Sequence, residues 1–241
     1  MPTPQPAPRI DLLERVGAGI EVILVAVAGL LVLPFFFAWW DVGPAGVMQR
    51  ADYVVTLMVA DATVTLLLIA LMQKARGQSW SALGWDFSNV RSRVLTGVFA
   101  VPFLFGTVFL VRLFFEYFLP QYASETNPLL ELIDSEVALG LFLFSSIYVG
   151  GFKEEVQRAF VLERFRKYLG GPWLGLVLWS LFFGYGHAVQ GVDNAVGAGL
   201  LGVLFGILYL WRRNLVAPIV AHALYDITTL VLYWTLWDLS F

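Results

Sequence analysis

The run VALGLFLFSSIYVGGFKEEVQRAFVLERFRKYL, residues 137–169, decides how this chain is read. Residues 137–152 carry no charge, so the segment is apolar on every face, as a helix surrounded by lipid must be. Lys153, Glu154, Glu155 and Arg158 follow with no proline, which predicts one helix from near Val137 to about Leu169, continuing through the charged patch. Gly170-Gly171-Pro172 ends it, because glycine supplies a helix stop and proline a fresh start.

The same alternation of long apolar blocks and short polar stretches extends outward in both directions. Further spans are predicted at about Ile20–Trp40, Tyr53–Met72, Val94–Phe118, Trp173–His187, Ala195–Trp211 and Leu215–Trp237. The 241 residues are 59% hydrophobic and 14% charged, whereas a soluble domain is roughly half apolar with about a quarter charged. The predicted fold is all-α: a polytopic transmembrane helical bundle of seven to eight helices, the eighth arising if the last span breaks. Residues 1–16 form a polar, proline-rich tail. Residues 17–135 hold the amino-terminal spans and a surface segment between Gln73 and Arg93, and 136–241 form a second group of helices, all within one membrane domain. The Ile20–Trp40 block is too long for a signal-peptide core and is read as a retained anchor.

Lys and Arg fix an orientation. The Lys74–Arg93 stretch, the Arg164-Arg166-Lys167 patch and Arg212-Arg213 can share one side with the amino terminus, which predicts a cytoplasmic amino terminus in a bacterial inner membrane. The acidic Pro120–Glu136 loop and Asp193 then fall on the other side. A net charge of −3 without a Lys/Arg block gives no nucleic-acid footprint. The absence of Cys excludes disulfides, thiolate zinc sites and thiol nucleophiles. Membrane lipid is the predicted partner, and the sequence sets no oligomeric state.

An ionisable group inside a span costs roughly 2.5–3.5 kcal/mol at its centre, so the polar residues that an apolar chain keeps mark its function. Both histidines, His187 and His222, fall in apolar helices, as do Glu154, Glu155, Arg158 and Asp226. Glu154 and Arg158 stand four apart and can pair on one face, with Glu155 about 100° away. The same patch also reads as an ordinary charged helix end. His187 follows Phe183-Gly184-Tyr185-Gly186, whose glycines allow close backbone approach; alone it also reads as an interfacial residue. His222 and Asp226 share a helical face, so the carboxylate can hold the imidazole N–H, either for a metal ligand or for a hydrogen bond that only joins helices. Pro218 is expected to free a carbonyl and bend this helix. Counted at ~1.5 Å per residue from the basic flanks, Glu154 lies roughly 18 Å deep, His187 about 21 Å and His222 about 14 Å, so tilt must bring them level. Asp61, Glu21 and the Arg112–Glu116 pair read as packing or interfacial residues.

Taken in order, these clusters resemble the three motifs of the CPBP family of intramembrane proteases, the CAAX prenyl endopeptidase and bacteriocin-processing (Abi) family: EExxxR, FxxxH, and HxxxN or HxxxD. Phe183 and His187 match the second motif, His222 and Asp226 the third. The glycine-spaced run Gly199–Tyr209 and the run Arg213–His222 are similar to the family's flanking text. The resemblance covers about Val149–Leu230. Only two residues separate the Glu pair from Arg158, where the family has three. Glu154 is the acid that falls on the Glu pair in both possible registers, Lys153 takes the first Glu position in one of them, and a π-bulge could absorb the offset.

The resemblance implies that residues 136–241 form a catalytic core that hydrolyses a peptide bond in a membrane-associated protein or peptide, entering laterally from lipid or from the cytoplasm. Glu154 would activate water held near His187 and His222. Asp226 would orient His222, Arg158 would hold the carboxylate or a substrate carbonyl, and Glu155 is the reserve acid. The resemblance implies Zn²⁺, with Glu154, His187, His222 and Asp226 as ligands, although a metal-free version is also conceivable. The alternative is a non-catalytic scaffold or bacteriocin-immunity member of the same fold.

Overall fold

Ser135 starts the central helix by accepting the Ala138 N–H on its hydroxyl at 3.2 Å, which satisfies one of the donors a helix start leaves open. The helix ends at Gly170 and Gly171, both at positive φ (100° and 104°), with Pro172 opening the next one. The computed structural model describes residues 11–40, 46 and 49–238. Among these the chain is all-helical, in the order α1 (Leu12–Ala26), α2 (Ala28–Trp40), α3 (Ala51–Ala75), α4 (Val90–Phe118), α5 (Glu136–Tyr168), α6 (Pro172–Gly186), α7 (Val192–Arg212) and α8 (Val216–Asp238). Short 3₁₀ turns lie at Trp80–Leu83, Pro120–Tyr122 and Ala188–Gln190.

Among the described residues, five helices are long and apolar enough to cross a membrane: α3, α4, α5, α7 and α8. Large apolar side chains such as Phe99, Phe103, Leu110 and Leu181 stand exposed along the bundle. A soluble protein does not expose apolar surface on this scale, and lipid covers it here. The seven predicted spans need two corrections. The first block is not one straight span: α1 and α2 meet at Val27 with a bend of 59°. The span at Trp173–His187 is α6, whose 15 residues reach only about 22 Å, short of a bilayer core of ~30 Å. His187 caps its carboxyl end half-buried, while the flanking Tyr185 and Val189 stand exposed.

Three smaller corrections follow. Helix α1 already begins at Leu12, inside the predicted tail, with the Asp11 N–H donating to Glu14 (3.2 Å); residues 1–10 of that tail lie outside the described residues. Pro218 sits in the first turn of α8, where its missing N–H costs no hydrogen bond, so the predicted bend has no cause. The last span does not break and runs as one helix from Val216 to Asp238.

The basic segments gather at one end of the bundle. Glu21 of α1 pairs with Arg76 after α3 and Arg164 of α5, both at 2.5 Å. Buried Glu163 accepts from Arg166 and from the Tyr209 hydroxyl, and pairs with Arg213. The 80–86 segment is tied to the α7–α8 turn, because the Asn214 amide donates to the carbonyls of Gly84 (2.9 Å) and Asp86 (2.7 Å). At the opposite end, Asp193 at the start of α7 accepts from the Ser124 hydroxyl (2.6 Å) and pairs with Arg112, pinning the acidic loop.

Missing side chains bring the helices close. A Cβ at Gly97 of α4 would lie 2.6 Å from the Ala217 carbonyl oxygen of α8, and one at Gly184 of α6 would lie 2.7 Å from the Ala195 carbonyl oxygen of α7. Helices in lipid associate through such small residues, because no hydrophobic driving force separates one apolar surface from another.

Candidate active site

A cavity of about 340 Å³ lies between α3, α4, α5, α6, α7 and α8. Glu154, His187, His222 and Asp226 all line it, although they come from three separate stretches of chain. Local structure explains each position. The Ser146–Glu154 stretch of α5 is a π-helix, with the wider turn that such stretches give to functional positions. His187 caps the carboxyl end of α6, where its Nδ1–H donates to the Phe183 carbonyl at 2.8 Å and leaves Nε2 as the acceptor of the neutral ring.

The two acids of the pair are divided between the cavity and its wall. Glu154 lines the cavity, with 18% of its side chain exposed. Glu155 is 1% exposed and turns away from the cavity, toward α8. Its Oε1 lies 2.8 Å from His222 Nδ1. A carboxylate oxygen accepts, so the proton is on Nδ1 and the other nitrogen, Nε2, faces the remaining acids. Nε2 lies 3.7 Å from Glu154 Oε2 and 3.7 Å from Asp226 Oδ2. The residue that holds the His222 N–H is therefore Glu155, not Asp226. Phe205 stacks on the His222 ring at 4.4 Å and fixes its plane.

The pairing predicted between Glu154 and Arg158 does not form. Arg158 Nη2 lies 3.4 Å from Glu155 Oε1 instead. Arg158 is fully buried, with its guanidinium over the rings of Phe183 (4.8 Å) and Phe205 (5.5 Å). It does not line the cavity, and its charge acts on Glu155 and the aromatic wall. Lys153, which takes a family Glu position in one register, points away from the cavity and pairs with Asp61 of α3 at 2.9 Å.

Several contributors were not singled out from the sequence. Gly150 also lines the cavity, and a Cβ there would collide with Asp226 Oδ2 and come within 3.5 Å of His222 Nε2. At Gly151 a Cβ would lie 2.8 Å from the Ala223 Cβ. Two adjacent glycines within an apolar helix are a readable signal of close helix approach. Asn127, Gln190 and Asn194 form a polar rim, in which the Asn127 amide donates to Gln190 at 3.1 Å. No sequence spacing announces that rim.

The donor chemistry of one imidazole and two carboxylates is of the kind that binds zinc. Among the described residues, however, no three His, Asp or Glu side chains are grouped so as to hold a metal ion.

This fold and cavity define a class: a polytopic helical membrane protein in which acids and imidazoles from separate helices meet within the bundle. Residues 135–228 match the family described as Rce1-like, type II CAAX prenyl endopeptidase, and that family is what this core is similar to. The matched segment opens at the Ser135 cap of α5 and closes within α8, so it encloses Glu154, His187, His222 and Asp226 but not Asn127 of the rim. Comparison with curated proteins and with solved structures gives no match.

Proposed function

We propose that the chain is an intramembrane endopeptidase that hydrolyses a peptide bond in a membrane-associated protein or peptide. The observation that carries this reading is the convergence of Glu154, His187, His222 and Asp226 on one cavity inside an otherwise apolar bundle. Ionisable groups are retained at such depth only where they have work to do.

Glu154 is the general base. Its carboxylate takes a proton from water, the water oxygen attacks the scissile carbonyl carbon, and the carbonyl becomes a tetrahedral oxyanion. The proton then passes from Glu154 to the departing nitrogen, the C–N bond breaks, and a carboxylate and an amine are released. His187 and His222 position the water and the oxyanion. Asp226 borders the same space, and Glu155 holds His222 in register. Two versions are open from the sequence: water activated by Glu154 alone, or water that a bound Zn²⁺ would also polarise.

The test is cleavage of a membrane-anchored peptide by purified protein. Glu154→Ala is expected to lose about 10²–10⁴ in kcat, the span that general-base catalysis supplies. Activity lost on chelation and restored by zinc would assign the metal, and activity that survives chelation with no bound zinc would assign the metal-free version. Activity retained in Glu154→Ala would overturn the assignment of the base. A protein that cleaves nothing, and whose His222 variants behave as the parent, would be a non-catalytic scaffold.

A further inference from the structure

The cavity has a definite way in. Its rim, Asn127, Gln190 and Asn194, belongs to the acidic loop and to the α6–α7 connection, at the end of the bundle that Ser124, Asp193 and Arg112 tie together. Toward the other end it is closed. Below His222 lie buried Glu155 and Arg158, and beyond them Val156, Phe160, Tyr209 and Leu215, each no more than 2% exposed. No residue of the 73–93 segment, of 163–175 or of 209–216 lines the cavity.

Charge distinguishes the two ends. Lys and Arg collect at the closed end, on the 74–93 segment, at Arg164–Lys167 and at Arg212–Arg213. At the open end Arg50 pairs with Asp52, and Arg112 with Glu116 and Asp193. Cationic loops remain on the cytoplasmic side of a membrane, because Lys and Arg there resist translocation.

We propose that the cavity opens to the extracytoplasmic face, and that its substrate is a polypeptide segment emerging from the bilayer on that face. Of the two routes expected from sequence, lateral from lipid or from the cytoplasm, this replaces the second. A peptide tail in the aqueous phase of the Lys/Arg loops has no route to Glu154. The peptide character of the substrate rests on the peptidase reading above; the direction of access does not. Rim amides suit an extended backbone, since Asn and Gln donate and accept as peptide groups do. The walls behind them, including Leu130, Phe142 and Leu201, are apolar.

Because the chain has no Cys, single thiols report without background. The experiment places Cys at Asn194 on the rim, at Ser146 on the cavity wall and at Ser81 on the closed end. Each full-length variant is treated with a membrane-impermeant maleimide in intact cells and in inverted membrane vesicles. Asn194→Cys and Ser146→Cys are expected to label in intact cells and to lose labelling in inverted vesicles, with Ser81→Cys showing the reverse. Ala198→Cys, on the same wall, replaces Ser146→Cys if that variant does not accumulate. Wall labelling only in inverted vesicles, wall labelling from neither side, or labelling of Ser81→Cys in intact cells would each overturn the proposal. Labelling requires no turnover, so a chain that labels as expected but cleaves nothing would sink the peptidase reading alone.

Discussion

Glu155 and His222, 67 residues apart in sequence, are joined by a 2.8 Å hydrogen bond between Oε1 and Nδ1 in the floor of the cavity. This contact fixes which imidazole nitrogen faces the reacting space. Outer partners of this kind are typically worth about 10–100-fold in activity when removed. Glu155→Ala is therefore predicted to lower kcat within that span with little change in KM. Glu155→Gln keeps an acceptor for the Nδ1 proton and should recover part of the loss. Steady-state kinetics on both variants decide it; an unchanged kcat in Glu155→Ala would remove the positioning role.

Gly150 tests whether the π-helical stretch must lie against α8. A methyl group there would meet Asp226 Oδ2. Gly150→Ala should cost about 1–3 kcal/mol through overpacking, and should lower cleavage by displacing Asp226 from the cavity. Adding Asp226→Ala should return the lost stability without returning activity. Thermal unfolding in detergent and a cleavage assay read the two effects separately.

Lys153 and Asp61 form an ion pair with side chains 10% and 23% exposed, in helices surrounded by lipid. Removing one partner strands the other charge. Asp61→Asn or Lys153→Met alone is predicted to cost about 3–5 kcal/mol. The double variant should lie close to the parent, since an apolar replacement of a buried pair is often neutral. A double-mutant cycle by thermal unfolding checks this coupling.

The surface segment carries a pH signature. The Arg93 guanidinium, with the Ser88 N–H and hydroxyl, holds the Asp86 carboxyl below its usual range. A depressed folded-state pKa stabilises above the unfolded value of 3.8 and loses that contribution as pH falls through the lower folded value. The stability difference between the parent and Asp86→Asn should therefore be constant at neutral pH and shrink only below about pH 4. Unfolding midpoints measured across that range provide the check.

Much of the architecture was legible because lipid imposes simple rules on sequence. Apolar length placed α3, α4, α5, α7 and α8, and Gly170-Gly171-Pro172 announced the α5–α6 turn. The break at Val27 was not legible, since no proline or glycine occupies that position; the Gln157 amide of α5 donates to the Val25 carbonyl beside it at 2.8 Å, a partner that local sequence does not announce. At the site, the rarity of ionisable groups in apolar spans pointed to the residues that converge. Helix spacing alone did not say which acid faces the cavity, because adjacent residues differ by about 100° and π-helical turns shift that phase; Glu154 was chosen because it falls on the family's Glu pair in both registers. The partner of His222 was assigned to its own helix by spacing, but came from α5. Sequence proximity says nothing about a neighbouring helix brought close by Gly150 and Gly151.

The brevity of α6 reaches beyond the protein into its surroundings. A cylinder of about 22 Å cannot match a hydrocarbon slab of ~30 Å, so the lipids beside it must compress and the headgroup layer must dip toward its lower rim. That depression would shorten the distance bulk solvent travels to reach His187. A reaction that consumes one water per turnover would thereby be supplied without an open pore through the bilayer.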